Sequence, residues 1–159
     1  MNVTQGGKWF SSCPDNAFQM VLKGQTPPAL AQRVGALFKP MPQLFVVGFI
    51  AAAGGYAYTA ASVALRKWLD PSSTGGASLP PDAIAKISVA IGAYVAVSTN
   101  WRYQVVAGVF EARMFDVLFA KQIALRSAGS TLVRTANTYL GSYWIVSYLR
   151  ALDLQKIDG

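Results

Sequence analysis

Residues 41–65 read MPQLFVVGFIAAAGGYAYTAASVAL, which is 25 positions without a single charge. A helix needs about 20 mainly apolar residues to cross the hydrocarbon core of a bilayer. Lys39 precedes this stretch, and Arg66, Lys67 and Trp68 follow it. Basic and aromatic residues at both ends are typical of the two membrane interfaces. The stretch therefore predicts a transmembrane helix and decides the fold class.

The composition of the whole chain agrees with a membrane protein. Of its 159 residues, 53% are hydrophobic and 13% are charged, whereas a soluble domain carries about 25% charged residues. The high hydrophobicity also excludes intrinsic disorder. We predict an all-α integral membrane protein that forms a single domain over residues 1–159. It would have three or four transmembrane helices, together with interfacial amphipathic helices.

The charges and rare residues exclude several function classes. The chain contains fourteen Lys and Arg residues and seven Asp and Glu residues, which gives a net charge of +7. The basic residues are dispersed rather than clustered in the stripes that nucleic-acid sites show, so we expect no nucleic-acid partner. The chain has no histidine and one cysteine, Cys13. We expect no enzyme activity, no catalytic residues, no metal and no cofactor, because histidine chemistry and paired cysteines are excluded.

The N-terminal segment, residues 1–40, contains one amphipathic pattern. Leu30, Val34, Leu37 and Phe38 fall on one face of a predicted helix, directly before the first span. Such a helix lies in a membrane interface or packs against a partner protein, and the residues leave both alternatives open.

Two segments outside the apolar stretches bear on organisation. Residues 70–82 are rich in Pro, Gly and Ser and predict a polar linker. The first 18 residues have neither the pattern of a secretory signal nor that of a transit peptide. We expect either internal targeting information or a start at Met1 that follows a removed segment.

Two further apolar stretches each contain one arginine. Residues 87–110 contain Arg102, and residues 127–149 contain Arg134. We predict that both stretches are spans. The intervening residues 111–126 are amphipathic and predict a connecting helix at the membrane surface, with partial embedding as the alternative.

The embedded polar residues of these two spans are predicted to lie at matched depth. If the spans are antiparallel, Arg102 and Arg134 lie roughly 10–12 Å below one interface, at 1.5 Å per residue. Asn100 and Asn137 lie roughly 15 Å deep by the same rise. The predicted polar layer, which either binds a ligand or has a structural role, consists of Asn100, Arg102, Tyr103, Gln104, Glu111, Arg134 and Asn137.

Two interpretations of this layer remain open. An embedded charge costs about 2.5–3.5 kcal/mol and normally faces protein or water. A guanidinium binds phosphate or carboxylate bidentately, which favours an anionic ligand. Alternatively, the arginines extend to the headgroups and the asparagines join helices. Glu111 is a candidate partner for Arg134 across the helix pair.

Small residues recur at helical spacing and predict close helix packing. Lipid gives helices no hydrophobic reason to associate, so these faces indicate contacts with other membrane subunits as well as with lipid. The predicted packing residues are Gly48, Ala52, Gly55, Gly92, Ala96, Gly108 and Gly141.

Five segments, in order along the chain, form a set of motifs: SSCPDNAFQ at 11–19, PPALAQR at 27–33, VAVSTNWRYQVVAGVFE at 95–111, RTANTYLGS at 134–142 and LQKI at 154–157. Together these segments resemble the plastid RETICULATA-related family. The resemblance implies a multi-pass protein of the plastid envelope, with the inner membrane as the expected location. It supplies no catalytic residues and no settled molecular activity.

Two functions from different classes follow. The first is a structural or assembly subunit of a larger envelope complex, such as protein-import machinery. The second is a permease or binding protein for an anionic metabolite or lipid, with Arg102 and Arg134 at its binding layer.

Overall fold

The computed structural model describes residues 9–73 and 79–155, and within these ranges every regular element is helical, with no strand. The prediction of an all-α chain is confirmed. Part of the predicted linker, residues 74–78, lies outside the described residues, as do 1–8 of the N-terminal segment and 156–159 at the end. The four longest helices within these ranges are α1 (Leu30–Phe38), α2 (Met41–Leu69), α3 (Pro81–Leu118) and α4 (Ile123–Ala151).

Helices α1 and α2 follow each other with only two residues between them. At the start of α1, the Ala29 N–H donates to Gln32 Oε1 at 2.8 Å, which satisfies an amide that the helix itself leaves unpaired. Pro42 stands in the first turn of α2, where a missing N–H costs nothing. Arg66 and Lys67 stand in its last turn, where cations complement the helix dipole. At 1.5 Å per residue, the 29 residues of α2 extend roughly 43 Å.

Helix α3 runs through the predicted boundary between span and connector. It continues past Phe110 to Leu118, and the chain turns at residues 119–122 before α4 begins. The predicted connector at 111–126 is therefore divided between the end of α3, this turn and the first residues of α4. The physical reason is that no proline interrupts 82–118, and scattered charges on one face do not end a helix.

Two of the described helical stretches are long and apolar enough to cross a membrane, judged by length and composition alone. They are Leu30–Leu69, which contains α1 and α2, and Pro81–Leu118, which is α3. Helix α4 covers the predicted third span but is not among them. Its many Ser and Thr residues, together with Arg134 and Asn137, lower its hydropathy.

The chain divides into two compact units. The first consists of Met1–Pro42 and Val97–Tyr143, and its described part contains α1, the second half of α3 and most of α4. Its interior is held mainly by side chains that donate to backbone carbonyls. Cys13 is a buried free thiol in this unit.

The second unit consists of Gln43–Ala96 and Trp144–Gly159. Its apolar core contains Ile87, Ala90 and Leu149, with Tyr148 packed against it. A Cβ added at Gly92 would lie 2.9 Å from the backbone oxygen of Phe45. Helices α2 and α3 therefore approach within backbone contact in this unit.

Candidate functional site

Helix α3 departs from α-helical geometry around its polar residues. Val95–Thr99 and Val106–Phe115 are π-helical, and Asn100–Val105 between them is α-helical. π-Helical turns are rare and are frequent at functional sites. Each wider turn contains an extra residue, so these parts of α3 depart from the uniform rise of 1.5 Å per residue that the depth prediction assumed.

The first group of polar residues, the amide cluster, consists of Asn16, Asn100 and Gln104. Asn100 Nδ2 donates to the Leu37 carbonyl at 2.6 Å, and Gln104 Nε2 donates to the Ala36 carbonyl at 2.9 Å. These carbonyls belong to the last turn of α1, where a helix leaves its own acceptors unpaired. Asn100 and Gln104 therefore cap the C-terminus of α1.

The same cluster fixes the segment that precedes α1. Gln104 Oε1 accepts the Ala17 N–H at 2.9 Å, while Asn16 Nδ2 donates to the Gln104 carbonyl at 2.9 Å. Gln104 Nε2 also donates to Asn100 Oδ1 at 3.0 Å. A Cβ at Gly108 would collide with Asn16 and Phe18, so only glycine lets the segment lie this close to α3.

The second group, the arginine–amide cluster, consists of Arg102 and Asn137. Arg102 is only 6% exposed. It donates to the Asn137 carbonyl at 2.9 Å and to the Ser98 carbonyl at 3.1 Å, and its NH2 donates to Thr99 Oγ1 at 3.3 Å. A Cβ at Gly141 would lie 2.6 Å from its NH1. The Arg102 guanidinium therefore packs against α4 at Gly141, which has no side chain.

The amide of Asn137 is only partly satisfied. Its Oδ1 accepts from Arg102 NH1 at 3.3 Å. Its Nδ2 is buried and makes no hydrogen bond within the described part of the chain. An unpaired buried donor of this kind is uncommon in proteins.

The third group, the carboxylate cluster, consists of Glu111, Ser130 and Arg134. Arg134 Nε and NH2 donate to the two carboxylate oxygens of Glu111 at 2.6 and 2.8 Å. The Ser130 hydroxyl donates to the same carboxylate. The Glu111 side chain is 19% exposed and that of Arg134 is 54% exposed. This bidentate ion pair joins α3 to α4 near the turn between them.

Two cavities adjoin the carboxylate cluster. A groove of about 540 Å³ along α4 is lined by Arg134 and by hydroxyl-bearing residues, among them Thr135 and Thr138. A second cavity of about 490 Å³ contains Glu111 and Asp116 in its lining. Within residues 9–73 and 79–155, no group of three or more His, Cys, Asp or Glu residues could hold a metal ion.

The predicted polar layer is therefore not one site. Asn100 and Gln104 share one face of α3 and contact α1, whereas Arg102 points to the other side and contacts α4. Arg134 contacts Glu111 in a separate cluster. Tyr103 is 40% exposed and lies near enough to Arg134 for an electrostatic interaction.

The predicted packing residues differ in their surroundings. Gly48 and Gly92 lie at the close approach of α2 and α3, and Gly108 and Gly141 lie against polar side chains. A Cβ added at Gly55 would have no atom within 4 Å. Of the remaining two, Ala96 is buried and Ala52 is half-buried.

Sequence reasoning missed the residues that hold the N-terminal segment in place. Arg33 NH1 donates to the Ala17 carbonyl at 2.7 Å, and Arg113 donates twice to the Phe18 carbonyl, at 3.0 and 3.1 Å. No residue pattern predicted a contact for Asn16. The available signal was that Asn16 and Arg33 both lie in segments that resemble the family.

Taken together, the described residues form an all-helical protein whose helices include two of membrane-spanning length and whose polar residues mostly join its own segments. Residues 2–109 match the RETICULATA-like family, described as Protein RETICULATA-related. The chain belongs to the RETICULATA-related family.

Two curated relatives, both from Arabidopsis thaliana, are similar to the chain over most of its length. Protein RETICULATA-RELATED 4, chloroplastic, is 44% identical over 156 residues, which are 97% of this chain and 40% of that protein. Protein RETICULATA-RELATED 5, chloroplastic, is 31% identical over 144 residues, 91% of this chain and 19% of that protein. The chain thus spans less than half the length of either relative. No solved structure matches it.

Proposed function

We propose that the chain is a non-catalytic, multi-pass protein of the plastid inner envelope that acts as a structural or assembly subunit of a larger membrane complex. Protein-import machinery is one complex of this kind. The plastid location is supported by the names of the two relatives, both of which are called chloroplastic.

The observation that carries the structural role is the use made of the polar residues. Asn100, Arg102 and Gln104 are buried and donate to backbone carbonyls of the chain itself. Donors used in this way fix the relative positions of segments and are not directed at a substrate. Buried polar groups that find their hydrogen-bond partners make a structure specific and rigid.

The membrane location is supported by the surface of α2. Gly48 is the only buried residue of α2, and large side chains such as Ile50 and Trp68 are exposed. Exposed apolar surface on this scale is typical of contact with lipid or with another subunit. We propose α2 and α3 as two spans and α4 as a third, since pairing with Glu111 reduces the cost of placing Arg134 within the membrane.

Gentle detergent extraction from envelope membranes, followed by native sizing and identification of the co-purifying proteins, tests the subunit role. We expect a particle several times the mass of the chain. Gly55→Leu, on the open face of α2, should reduce the size of that particle, whereas Val47→Leu, also exposed on α2, should not. A stable monomer in the mildest detergents would contradict the proposal.

A second candidate function is the binding or transport of an anionic metabolite or lipid. It is favoured by the exposed guanidinium of Arg134, which lines the groove beside threonine hydroxyls. Uptake of inorganic phosphate by proteoliposomes tests this function. Arg134→Gln and Arg102→Gln should reduce uptake, and Arg150→Gln at the end of α4 is the matched control. Uptake that neither substitution changes would remove both arginines from such a mechanism.

A further inference from the structure

Helix α1 uses its polar side to bind the rest of the first unit. Gln32 Nε2 donates to the Ser12 carbonyl at 3.2 Å, Arg33 NH1 to the Ala17 carbonyl at 2.7 Å and Lys39 Nζ to the Cys13 carbonyl at 3.3 Å. Gly35 and Ala36 are buried on this side. The inward face of α1 is therefore its polar and small-residue face.

The outward face of α1 is apolar. Leu30 is 78% exposed, Val34 is 46% exposed and Phe38 is 53% exposed. These positions are four residues apart and form one stripe along the helix. This arrangement is the reverse of that in a soluble protein, whose helices turn their apolar stripe toward the core.

Helix α1 cannot hide this stripe by rotating about its axis. Rotation would break the hydrogen bonds of Gln32, Arg33 and Lys39. It would also separate the Ala36 and Leu37 carbonyls from Gln104 and Asn100. The exposed stripe is thus imposed by bonds on the opposite face.

The position of α1 along the chain brings this stripe close to the candidate span. Lys39 and Pro40 alone separate α1 from the first residue of α2. A chain extends at most about 3.6 Å per residue, so the end of α1 lies within roughly 11 Å of the start of α2. A helix this close to a membrane-spanning segment lies at the depth of the interface.

We propose that α1 lies in the membrane interface with Leu30, Val34 and Phe38 inserted at the boundary between headgroups and acyl chains. This inference rests on the membrane location given in the proposed function. The occupant is lipid and not a second copy of the chain, because three side chains fall well short of the about 800 Å² per partner that a stable interface buries. The insertion would also fix the position of the segment that precedes α1, which the amide cluster binds.

Depth-dependent fluorescence quenching of the full chain in vesicles of phosphatidylcholine and phosphatidylglycerol tests this inference. Cys13→Ala removes the only native thiol, and Val34→Cys or Leu30→Cys then carries a fluorescent label. Ser72→Cys, in the polar segment beyond α2, is the matched aqueous control. Labels on α1 should be quenched severalfold more strongly by a nitroxide placed near the headgroup than the control, and severalfold more weakly by iodide in water.

Two results would overturn the inference. Iodide quenching at position 34 equal to that at Ser72→Cys would mean that the stripe faces water. Protection from both quenchers would mean that protein covers it. Because Leu30 and Val34 are both exposed, a failure of one variant to fold leaves the other to decide. Either result, obtained with a chain that still runs as a large native complex, would reject the interfacial helix and leave the subunit role intact.

Discussion

The two units of the chain are stabilised in different ways. In the first unit, Gln104 alone makes hydrogen bonds to the Ala36 carbonyl, the Ala17 N–H and the Asn100 side chain. In the second unit, the decisive feature is the absence of side chains at Gly48 and Gly92, which lets two helix backbones touch. The first unit is therefore joined mainly by buried polar groups, and the second mainly by apolar contacts and by the close approach of two helix backbones.

The two units should therefore be sensitive to different kinds of substitution. Removing a donor in the first unit leaves several buried groups unpaired, while its volume changes little. Adding a methyl group in the second unit creates a collision but leaves every hydrogen bond intact. Four experiments, taken from the largest expected effect to the smallest, test how far this contrast holds.

Gln104→Leu should have the largest effect. It leaves the Ala36 carbonyl, the Ala17 N–H and Asn100 Oδ1 without their partner, at about 1–3 kcal/mol for each buried group. We expect a loss of at least about 3 kcal/mol, measured by denaturant unfolding in detergent. Gln122→Leu, at an exposed position in the turn before α4, is the control and should change stability little. Equal effects of the two variants would show that the amide cluster does not stabilise the first unit.

Gly92→Ala should have the next largest effect. The added Cβ would lie 2.9 Å from the Phe45 carbonyl oxygen, and overpacking of this kind costs about 1–3 kcal/mol. Gly54→Ala is the control in the same unit. Its added Cβ would have no atom within 4 Å, so the substitution should stabilise α2 by up to about 1 kcal/mol. The midpoints of thermal unfolding in detergent compare the two. A stabilising Gly92→Ala would mean that the helices are free to separate.

The coupling free energy between Glu111 and Arg134 should be about 1 kcal/mol, which is typical of a bidentate ion pair that is only partly buried. A double-mutant cycle of Glu111→Gln and Arg134→Gln measures this coupling. The pair Asp116 and Arg126, 3.5 Å apart and exposed at both ends, is the comparison and should couple by close to zero. A coupling no larger than that of the second pair would exclude the carboxylate cluster as a link between α3 and α4.

The ion pair between Asp15 and Lys39 should have the smallest effect. A hydrogen bond from Lys39 and its positive charge hold the pKa of Asp15 below its ordinary value of 3.8. Because the folded pKa is depressed, the stabilisation is present above pH 3.8 and disappears as the pH falls through the folded value. Asp15→Asn should therefore cost less than about 1 kcal/mol at neutral pH, and nothing below the folded pKa. A difference between wild type and variant that persists in strong acid would contradict this assignment.

Much of the helical architecture was readable from residue patterns. The uncharged stretch at 41–65 lies within α2, and the apolar stretch at 87–110 lies within α3. The end of α3 was not readable, because the chain from Phe110 to Leu118 contains charges but no residue that breaks a helix. The turn at 119–122 has no proline and no glycine to mark it.

The candidate site was readable only as a set of residues. The pattern indicated Asn100, Arg102 and Gln104, and all three are buried. The prediction compared only their depths, although at about 100° per residue Arg102 lies on the opposite side of the helix from Asn100 and Gln104. The π-helical turns on either side also depart from the uniform rise at which the depths were counted.

The sequence by itself determined that the chain is helical and apolar, and which of its polar residues lie within apolar stretches, because hydrophobicity and charge are properties of each residue. Only the tertiary structure decided that Gln104 caps α1, that Arg102 lies against Gly141 and that α1 turns its polar face inward. Hydrogen bonds between residues 68 or 87 positions apart depend on where distant segments meet, and no local pattern encodes that distance.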